Sequence, residues 1–559
     1  MYAPSNQAMN PTDDLRHEML RASLKKAGRP EDYDYILKLL NPPPDITNYA
    51  APGSLKGVKV GIIGGGLAGM ASAFELRKLG ADITILEASQ DRIGGRVYTY
   101  YFDPEGMYYG EFGAHRIPVS HETTWHYINL FGLDTISLTP ANRNNFLYVH
   151  NTRLRTTDSV QEILYPKYDL TPQERNTPWP ELSDYAFHYP FLQLTPEIRA
   201  EMISILPEYS PEYITLMSKS LRQNFEALGL SQGAINLISG VNPSSGALLN
   251  ISYDEIATED YTFDYINTYR VQGGMSNLPI AIYQSFFDES PPQCKDYSPE
   301  LLGTVTFKTG HYVTGIYQSN YRNKVVIKYH NQMEGKDTAE IFDYVICAIP
   351  FTALREVEIK PYFNNMKMQA ILELNYIDSQ KTLFYCNRRF WEKNADYGNM
   401  VGGISFTDLP IQSIFYPGDH LLCSDETACS PDEPGVLEAS YNNHQNSVRV
   451  GNMEKAMLYN LVRQNVEEVH GLPRGYLNSI VQSFKSVDWN SEPNFRGGFH
   501  LDLPGQKKLF AYEMQQPEYN NRVFFAGEHT STKHGWMQGA LYSGKFAANN
   551  LAYYYNQMK

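Results

Sequence analysis

The sequence predicts a mixed α/β protein (α+β in part) with several domains, and three observations lead to that prediction. A glycine-rich turn joins a strand to a helix near residue 64. Helix-start signals recur between residues 145 and 265, and β patterns recur between residues 303 and 349. At 559 residues the chain is long enough for two or three domains with their own cores. We therefore expect a domain with a parallel sheet, a domain with a mixed sheet and a helical insertion.

The glycine-rich turn lies within residues 58–96 and is flanked by predicted strands and a predicted helix. Residues 58–63 are apolar and predict a buried strand, and residues 70–79 predict a helix that ends at Gly80. Residues 83–86 predict a second strand, with Glu87 at its carboxyl end. Strand, turn, helix, strand and acid therefore follow in the order of a dinucleotide-binding βαβ unit.

Each residue of this turn suits the binding of a dinucleotide. Gly64 permits the tight turn, Gly66 lets a pyrophosphate approach the backbone, and Gly69 lets the helix pack closely on the strand. The helix N-terminus offers free N–H groups to the phosphates, with Leu67 and Ala68 in its first turn. Glu87, followed by Ala88, can accept hydrogen bonds from ribose hydroxyls. The motif leaves NAD and FAD open and disfavours NADP.

Composition and charge limit the partners of the chain. A formal net charge of −15 argues against nucleic acid or an anionic membrane. No apolar run reaches membrane-spanning length, and the N-terminal residues lack the apolar core of a secretory signal peptide. We therefore expect a cytoplasmic protein, with secretion by another route left open.

The cysteines give no sign of a metal site or of a disulfide framework. Their number is odd and their spacing matches no metal-ligand pattern. We expect free thiols in a reducing compartment and no metal site. The cysteines are Cys294, Cys347, Cys386, Cys423 and Cys429, and of these Cys423 and Cys429 could pair, although nothing in the sequence requires it.

The rest of the chain is organised around these elements. Residues 13–27 and 31–40 predict an N-terminal helical arm, which a proline-rich connector at 41–52 joins to the first domain. Helices are predicted to start at Pro172, Pro196 and Pro211, each after a Ser or Thr N-cap. Strands are predicted at 304–307, 312–316, 325–327, 344–347, 382–385, 436–439 and 522–528, and a final helix at about 539–555.

A second glycine pair, Gly94-Gly95 followed by Arg96, suits a phosphate contact, and with the first motif it resembles the flavin-dependent amine oxidase family. Similar stretches follow in the family's order at residues 269–279, 344–350, Lys381 before Phe390-Trp391, and 525–528 with 534–540. The resemblance covers about Val58 to the final helix and implies an FAD-binding Rossmann-like domain. It implies FAD contacts at Gly64, Gly66, Leu67, Ala68, Gly69, Glu87, Ala88, Gly95, Arg96, Gly113, Ala114, His115, Arg116, Val313, Gly527, Glu528, Trp536, Met537 and Ala540.

The domain division implied by the resemblance interleaves the domains along the chain. No cysteine lies near the C-terminal motif, so the FAD is expected to be non-covalent. The predicted FAD-binding domain comprises residues 54–100, 266–350 and 505–559, and the predicted substrate domain comprises residues 101–144 and 351–504. Residues 1–53 are predicted to form the helical arm, and residues 145–265 a helical domain.

The stretch from Gly113 to Pro118 narrows the resemblance to the L-amino acid oxidases and the related tryptophan 2-monooxygenase. In that group the arginine, here Arg116, grips the substrate carboxylate, which suits a planar guanidinium. Tyr441 matches a second carboxylate contact, and Lys381 matches a lysine that holds a water near the flavin. Gly535 and Trp536 match the amine acceptor and an aromatic wall. Further pocket candidates are Tyr416, Glu259 and Asp260.

The resemblance implies oxidative deamination of an L-α-amino acid to a 2-oxo acid, ammonia and H2O2, with O2 as the acceptor. The acidic residues near Glu259 favour a basic substrate, arginine or lysine, with a large aromatic or aliphatic substrate next. Two other hypotheses stay open: a monooxygenase of the tryptophan 2-monooxygenase type, which yields an amide and CO2, and a non-catalytic FAD-binding partner protein. We expect a homo-oligomer, a dimer or larger.

Overall fold

A parallel five-stranded sheet forms the centre of the protein in the computed structural model, which describes residues 10–138, 144–319, 323–394, 396–418 and 430–558. Its strands run side by side so that Ile62 lies between Ile85 and Ile346. The helices Leu67–Lys78 and Met537–Gln557 pack on each other beside this sheet. The strand order is Val305–Lys308, Asp82–Leu86, Lys59–Ile63, Tyr344–Cys347 and Val523–Phe525.

The predicted βαβ unit is present, and its helix begins three residues earlier than predicted, at Leu67. Gly66 is the N-cap with extended backbone, so the first helical turn follows it directly. Gly64 has a φ of +100°, and a Cβ on Gly69 would lie 2.1 Å from the Gly64 carbonyl oxygen. The tight turn and the close helix–strand packing therefore require these two glycines.

A second large sheet has seven strands and carries several of the predicted site residues. Side chains of its central strands alternate between two faces, and one of these faces packs on the helix Lys455–His470. The strand order is Val481–Asp488, Ser379–Cys386, Gly435–Asn443, Ser413–Phe415, Ile404–Thr407, Phe146–Val149 and Thr152–Arg155.

Smaller sheets complete the β structure of the described residues. A four-stranded sheet adjoins the parallel sheet, and there are also a three-stranded sheet and two pairs of antiparallel strands. Their strands are Lys336–Phe342, Lys324–Asn331, His311–Ser319 and Glu358–Lys360; Ile117–Pro118, Thr268–Val271 and Thr135–Ser137; Tyr376–Ile377 with Phe499–His500; and Thr99–Tyr101 with Tyr109–Glu111.

The predicted helical segment contains short helices that share one core with the N-terminal arm. The predicted starts at Pro172, Pro196 and Pro211 are confirmed, and Thr171 forms a capping box with Glu174. The helices are Val160–Ile163, Pro172–Asn176, Trp179–Phe187, Tyr189–Leu192, Pro196–Arg199, Pro211–Met217, Leu221–Ala227, Gln232–Val241, Pro243–Gly246 and Tyr253–Tyr261.

The helical character predicted from residue 145 onward begins later than expected, at Val160. Residues 146–155 instead form a hairpin at the edge of the seven-stranded sheet, because all four side chains of Phe146–Val149 are buried there. The remaining α-helices are Asp13–Lys26, Tyr33–Leu40, Glu122–Leu130, Asn277–Ser285, Phe351–Leu354, Asn365–Glu373, Gln445–Gly451 and Tyr512–Gln515.

The mixed α/β class predicted from the sequence is therefore confirmed. None of the helices in the described ranges has the length and apolar character needed to cross a membrane. Cys294, Cys347 and Cys386 are buried free thiols, whereas the prediction for Cys423 and Cys429 concerns positions outside the described residues.

Candidate active site

A cavity of about 660 Å³ lies where the parallel sheet, the seven-stranded sheet and the helical segment meet. One end lies beside the carboxyl ends of the strands Lys59–Ile63 and Asp82–Leu86, the usual place for a nucleotide in a parallel sheet. The other end reaches the helix Tyr253–Tyr261 and the strand Ser413–Phe415. All but two of the predicted cofactor and substrate residues thus line one continuous space.

The nucleotide end is built from the glycine-rich turn and Glu87. The backbone N–H groups of Gly65 and Ser89 donate to the Glu87 carboxylate over 2.8 and 2.7 Å, which fixes its orientation. Burial raises the pKa of Glu87. The predicted cofactor residues Leu67, Ala68, Ala88, Gly95 and Val313 line this end, together with Gly64 and Gly66.

The backbone conformation and the surroundings of Gly66 indicate whether this end of the cavity fits a cofactor pyrophosphate. Its φ is −82°, which any residue can adopt, and a Cβ there would meet nothing closer than the Gly95 Cα at 3.8 Å. Neither backbone conformation nor protein packing therefore requires glycine at this N-cap. A phosphate group held against the helix N-terminus would require it, so the turn fits a dinucleotide.

Arg96 and Glu528 join the two halves of the predicted cofactor motif. The Arg96 guanidinium donates to Glu528 over 2.8 Å and to the Gly498 carbonyl over 2.9 Å. Burial opposes ionisation of Glu528, but Arg96 and neighbouring histidines hold its pKa at about 2. Gly527, Met537 and Ala540 line the cavity beside this pair. The ion pair therefore joins residues 432 positions apart at the cavity wall.

Lys381 lies in the middle of the cavity wall, on the strand Ser379–Cys386, with a side chain that is 2% exposed. Its Nζ donates to the carbonyls of Glu111 and Gly113 over 3.2 and 3.3 Å and lies 3.0 Å from His115 Nδ1. Burial lowers the pKa of Lys381, while Glu438 at 3.5 Å opposes that shift. Burial and the lysine charge hold the pKa of His115 well below its usual value, so His115 stays neutral.

Arg116 lies at the substrate end of the cavity between two aromatic rings. Its guanidinium carbon is 5.4 Å from the Tyr265 ring and 5.3 Å from the Phe415 ring, within the range of cation–π contacts. The guanidinium has no hydrogen bond or ion pair with any residue in the described part of the chain. The fork of N–H donors is therefore held in place by aromatic rings and is open to an anionic ligand.

Tyr441 completes a group of side chains around this arginine. It pairs with Lys381 across the sheet, and its ring lies 4.4 Å from Lys381 Nζ and 5.7 Å from the Phe415 ring. Burial, with Glu438 nearby, raises the pKa of Tyr441 to about 12, so its hydroxyl stays protonated near neutral pH. Ala114 and Gly113 line the same wall.

Trp536 and Glu259 form the far wall of the substrate end. The Trp536 indole Nε1 donates to Glu259 Oε1 over 2.9 Å, and the Tyr265 hydroxyl donates to Glu259 Oε2 over 2.7 Å. Burial and the charge of Asp264 raise the pKa of Glu259 to about 7. Gly535 lines the cavity next to Trp536, and Asp260 lines it as well.

Two predicted residues lie outside the cavity lining. Tyr416 was predicted as a pocket residue, but its ring is buried in the opposite core, where its hydroxyl lies 2.8 Å from Ser405 Oγ and 3.0 Å from His470 Nε2. Successive side chains of an extended chain point to opposite faces, so Phe415 occupies the cavity face. Gly69 lies behind the turn and serves the helix–strand packing.

The structure also adds residues that the sequence did not indicate. Tyr265 and Phe415 hold Arg116, and Glu438 lies between Lys381 and His115 at 3.5 and 3.8 Å. The alternation of side chains along a strand predicts that only one of Phe415 and Tyr416 faces the cavity, but it does not indicate which one. Tyr265 follows a helix end in an irregular segment and had no comparable signal.

Residues 67–552 match the family model described as flavin containing amine oxidoreductase. The chain belongs to this family. The resemblance to flavin-dependent amine oxidases and the prediction of a flavin-dependent oxidoreductase are thereby confirmed.

Relatives of this amine oxidoreductase cover most of its length. YobN of Bacillus subtilis (strain 168) is 32% identical over 492 residues, which are 86% of this chain and 92% of YobN. The L-amino-acid oxidase of Protobothrops flavoviridis is 27% identical over 493 residues, 88% of each chain. Cyclohexylamine oxidase from Brevibacterium oxydans IH-35A has a similar fold, with a TM-score of 0.65 at 17% identity over 90% of this chain and all of its own.

Proposed function

We propose that this amine oxidoreductase is an FAD-dependent L-amino-acid oxidase that prefers substrates with a basic side chain. The observation that carries the proposal is Arg116, a guanidinium held between two aromatic rings in the cavity without an anionic partner among the described residues. A simple amine offers such an arginine nothing to bind, whereas an α-carboxylate matches its fork with two parallel hydrogen bonds. The name of the Protobothrops flavoviridis relative supports the same assignment.

The proposed cofactor is non-covalent FAD with its adenine nucleotide against Gly66 and Glu87. When bound, FAD would supply the redox chemistry of the oxidation, with O2 as the final electron acceptor and H2O2 as its product. The protein supplies orientation. Arg116 and the protonated Tyr441 hydroxyl hold the carboxylate, so the Cα hydrogen is presented in one geometry.

Lys381 and the Gly535 carbonyl have the remaining roles near the reacting carbon. We assign Lys381 Nζ to hold a water near the reacting carbon by exchanging one of its three present acceptors, the Glu111 and Gly113 carbonyls and His115 Nδ1, for that water. We assign the Gly535 carbonyl, beside Trp536, to accept from the substrate amine. The neutral His115 accepts from Lys381 and fixes its direction.

The preference for a basic side chain rests on Glu259. Tyr265 spans the space between Arg116 and Glu259, since its ring contacts the guanidinium and its hydroxyl donates to the carboxylate. A long substrate held by Arg116 can therefore extend along Tyr265 toward Glu259. Each Glu259 oxygen accepts one protein hydrogen bond and keeps a lone pair for a guanidinium or ammonium group.

The proposal is tested with purified holoenzyme, each proteinogenic L-amino acid and its D-enantiomer. We expect peroxide and the 2-oxo acid from L-arginine or L-lysine, little product from the D-forms, and bleaching of the flavin when substrate is added without oxygen. An amide with CO2 as the main product would contradict the oxidase assignment. Absence of bleaching with every amino acid would contradict the enzyme assignment.

A further inference from the structure

Four buried side chains that neither the cofactor nor the substrate assignment uses meet beside the cavity, and one of them, His534, lines it. They are Glu255, His500, Asp502 and His534, here called the two-histidine cluster. One ligand-type atom from each lies within 4.8 Å of the others. They come from the helix Tyr253–Tyr261, the strand Phe499–His500 with the residues after it, and the segment before Trp536.

The hydrogen bonds of His500 leave two acceptors facing each other. His500 Nδ1 lies 2.6 Å from the Asn375 carbonyl oxygen, which can only accept, so Nδ1 carries a proton. In the neutral imidazole Nε2 then has a lone pair, and it lies 3.0 Å from Asp502 Oδ1. Neither this nitrogen nor either Asp502 carboxylate oxygen has a hydrogen-bond partner in the described part of the chain.

His534 and Glu255 form a second histidine–carboxylate pair in the cluster. His534 Nδ1 lies 3.0 and 2.9 Å from the two Glu255 oxygens, and His534 Nε2 has no partner within the described ranges. The rings of His500 and His534 are 4.3 Å apart. A neutral His534 can donate its Nδ1–H to Glu255, whereas a proton between His500 and Asp502 would require both ring nitrogens of His500 to be protonated, because Nδ1 already donates to the Asn375 carbonyl.

We propose that the two-histidine cluster binds a divalent transition-metal ion, with Zn²⁺ as the best match. Two imidazole nitrogens and two carboxylate oxygens are a common tetrahedral Zn²⁺ ligand set, and the two carboxylates balance the charge of the ion. Ligand atoms about 2.0–2.2 Å from zinc lie ~3.3 Å apart in a tetrahedron. The observed separations within each pair, 2.9 and 3.0 Å, are close to that value.

The surroundings of the cluster support a metal rather than a proton network. The Asn375 carbonyl fixes the tautomer and orientation of His500, as outer partners of metal-bound histidines do. The backbone N–H of Asp502 donates to Glu255 Oε1 over 3.2 Å, which holds both carboxylates in one place. The ion would tie the helix that carries Glu259 to the segment that carries Gly535 and Trp536. The proposed role of the ion is therefore to position the wall that Glu259 and Trp536 form at the substrate end of the cavity.

The test uses purified holoenzyme that has been dialysed against a chelator and then titrated calorimetrically with Zn²⁺ alone. We expect one Zn²⁺ per chain, loss of that binding in Asp502→Asn, and retention of flavin in both proteins. His330→Gln is the matched control, because His330 lies 2.9 Å from Asp337 in an exposed histidine–carboxylate pair. This control should bind Zn²⁺ like the unchanged protein.

Two measurements on the unchanged protein remain decisive if Asp502→Asn does not fold. Crystals measured at the zinc absorption edge should give an anomalous peak between the four side chains. Thermal unfolding should shift upward with Zn²⁺ and not with Mg²⁺, which disfavours imidazole ligands. Absence of Zn²⁺ binding, an anomalous peak elsewhere, or binding by Asp502→Asn equal to that of the unchanged protein would overturn the proposal. These readouts do not depend on turnover of any amino acid.

Discussion

Arg116→Met should separate recognition of the carboxylate from every other function of the site. The substitution removes the N–H fork but keeps an unbranched side chain between the Tyr265 and Phe415 rings. Each charge-assisted hydrogen bond contributes about 1.5–3 kcal/mol, so losing both weakens transition-state binding by about 3–6 kcal/mol. Steady-state kcat/KM for the preferred L-amino acid should therefore fall roughly 10²- to 10⁴-fold.

The comparison that isolates the effect uses the amine that lacks only the carboxylate. For L-arginine this is its decarboxylated amine, which has nothing for Arg116 to bind. The ratio of kcat/KM for the amino acid to that for the amine should fall by the same factor in Arg116→Met. Arg116→Lys keeps the charge but loses the fork, so its loss should be intermediate.

Two controls make the result interpretable. Flavin content should be the same in both Arg116 variants, because Arg116 lies at the substrate end of the cavity. Arg153→Met is the matched control, since Arg153 contacts the Phe146 ring at 5.3 Å outside the cavity lining and should leave kcat/KM unchanged. An Arg116→Met enzyme with unaltered kcat/KM and full flavin would refute the carboxylate assignment.

Three further predictions concern the side-chain pocket, the cavity centre and the cofactor turn. Glu259→Gln should lower kcat/KM for L-arginine by about 10- to 100-fold and leave L-leucine little changed, because a neutral amide replaces the charge partner. Since the pKa of Glu259 is raised to about 7, KM for L-arginine should fall as pH rises from about 6 to about 8, and this trend should be absent in Glu259→Gln. Lys381→Met should slow the stopped-flow rate of flavin reoxidation by O2 at least ~10-fold while flavin stays bound; an unchanged rate would remove Lys381 from that step. Gly66→Ala should lower flavin occupancy, read from the ratio of flavin to protein absorbance, without unfolding the chain, because the closest protein atom to its Cβ would be the Gly95 Cα at 3.8 Å, an ordinary contact distance.

The cofactor end could be predicted from the sequence because its determinants are local. Gly64, Gly66, Gly69 and Glu87 lie within one strand–helix–strand unit, so spacing alone fixes their relations. The helix starts at the Ser/Thr-Pro pairs were predictable for the same reason, since a cap acts within one turn. The start at Leu67 was missed because Gly66 caps the helix without any side-chain signal.

The residues at the substrate end could be predicted only from the resemblance to the family, and some of them were missed. The phase of one strand decides whether Phe415 or Tyr416 faces the cavity, and an apolar or aromatic residue suits both faces equally. Tyr265 lies in an irregular segment and touches Arg116, which is 149 positions earlier in the chain (265 − 116). The two-histidine cluster has no spacing signature, because its residues come from three distant segments.

The hydrogen bond from Trp536 to Glu259 connects a residue of the C-terminal cofactor segment with a residue of the helical insertion. Trp536 ends the segment that leads from Glu528, the partner of Arg96, into the final helix, so its position follows from the cofactor end. Glu259 lies on a helix of the insertion, so its position follows from a separate core. This hydrogen bond, the Lys533–Asp264 ion pair and the His534–Glu255 pair all join the insertion to that segment, so the pocket for the substrate side chain is built where the two meet. Changes in the insertion should therefore alter substrate preference while leaving flavin binding intact.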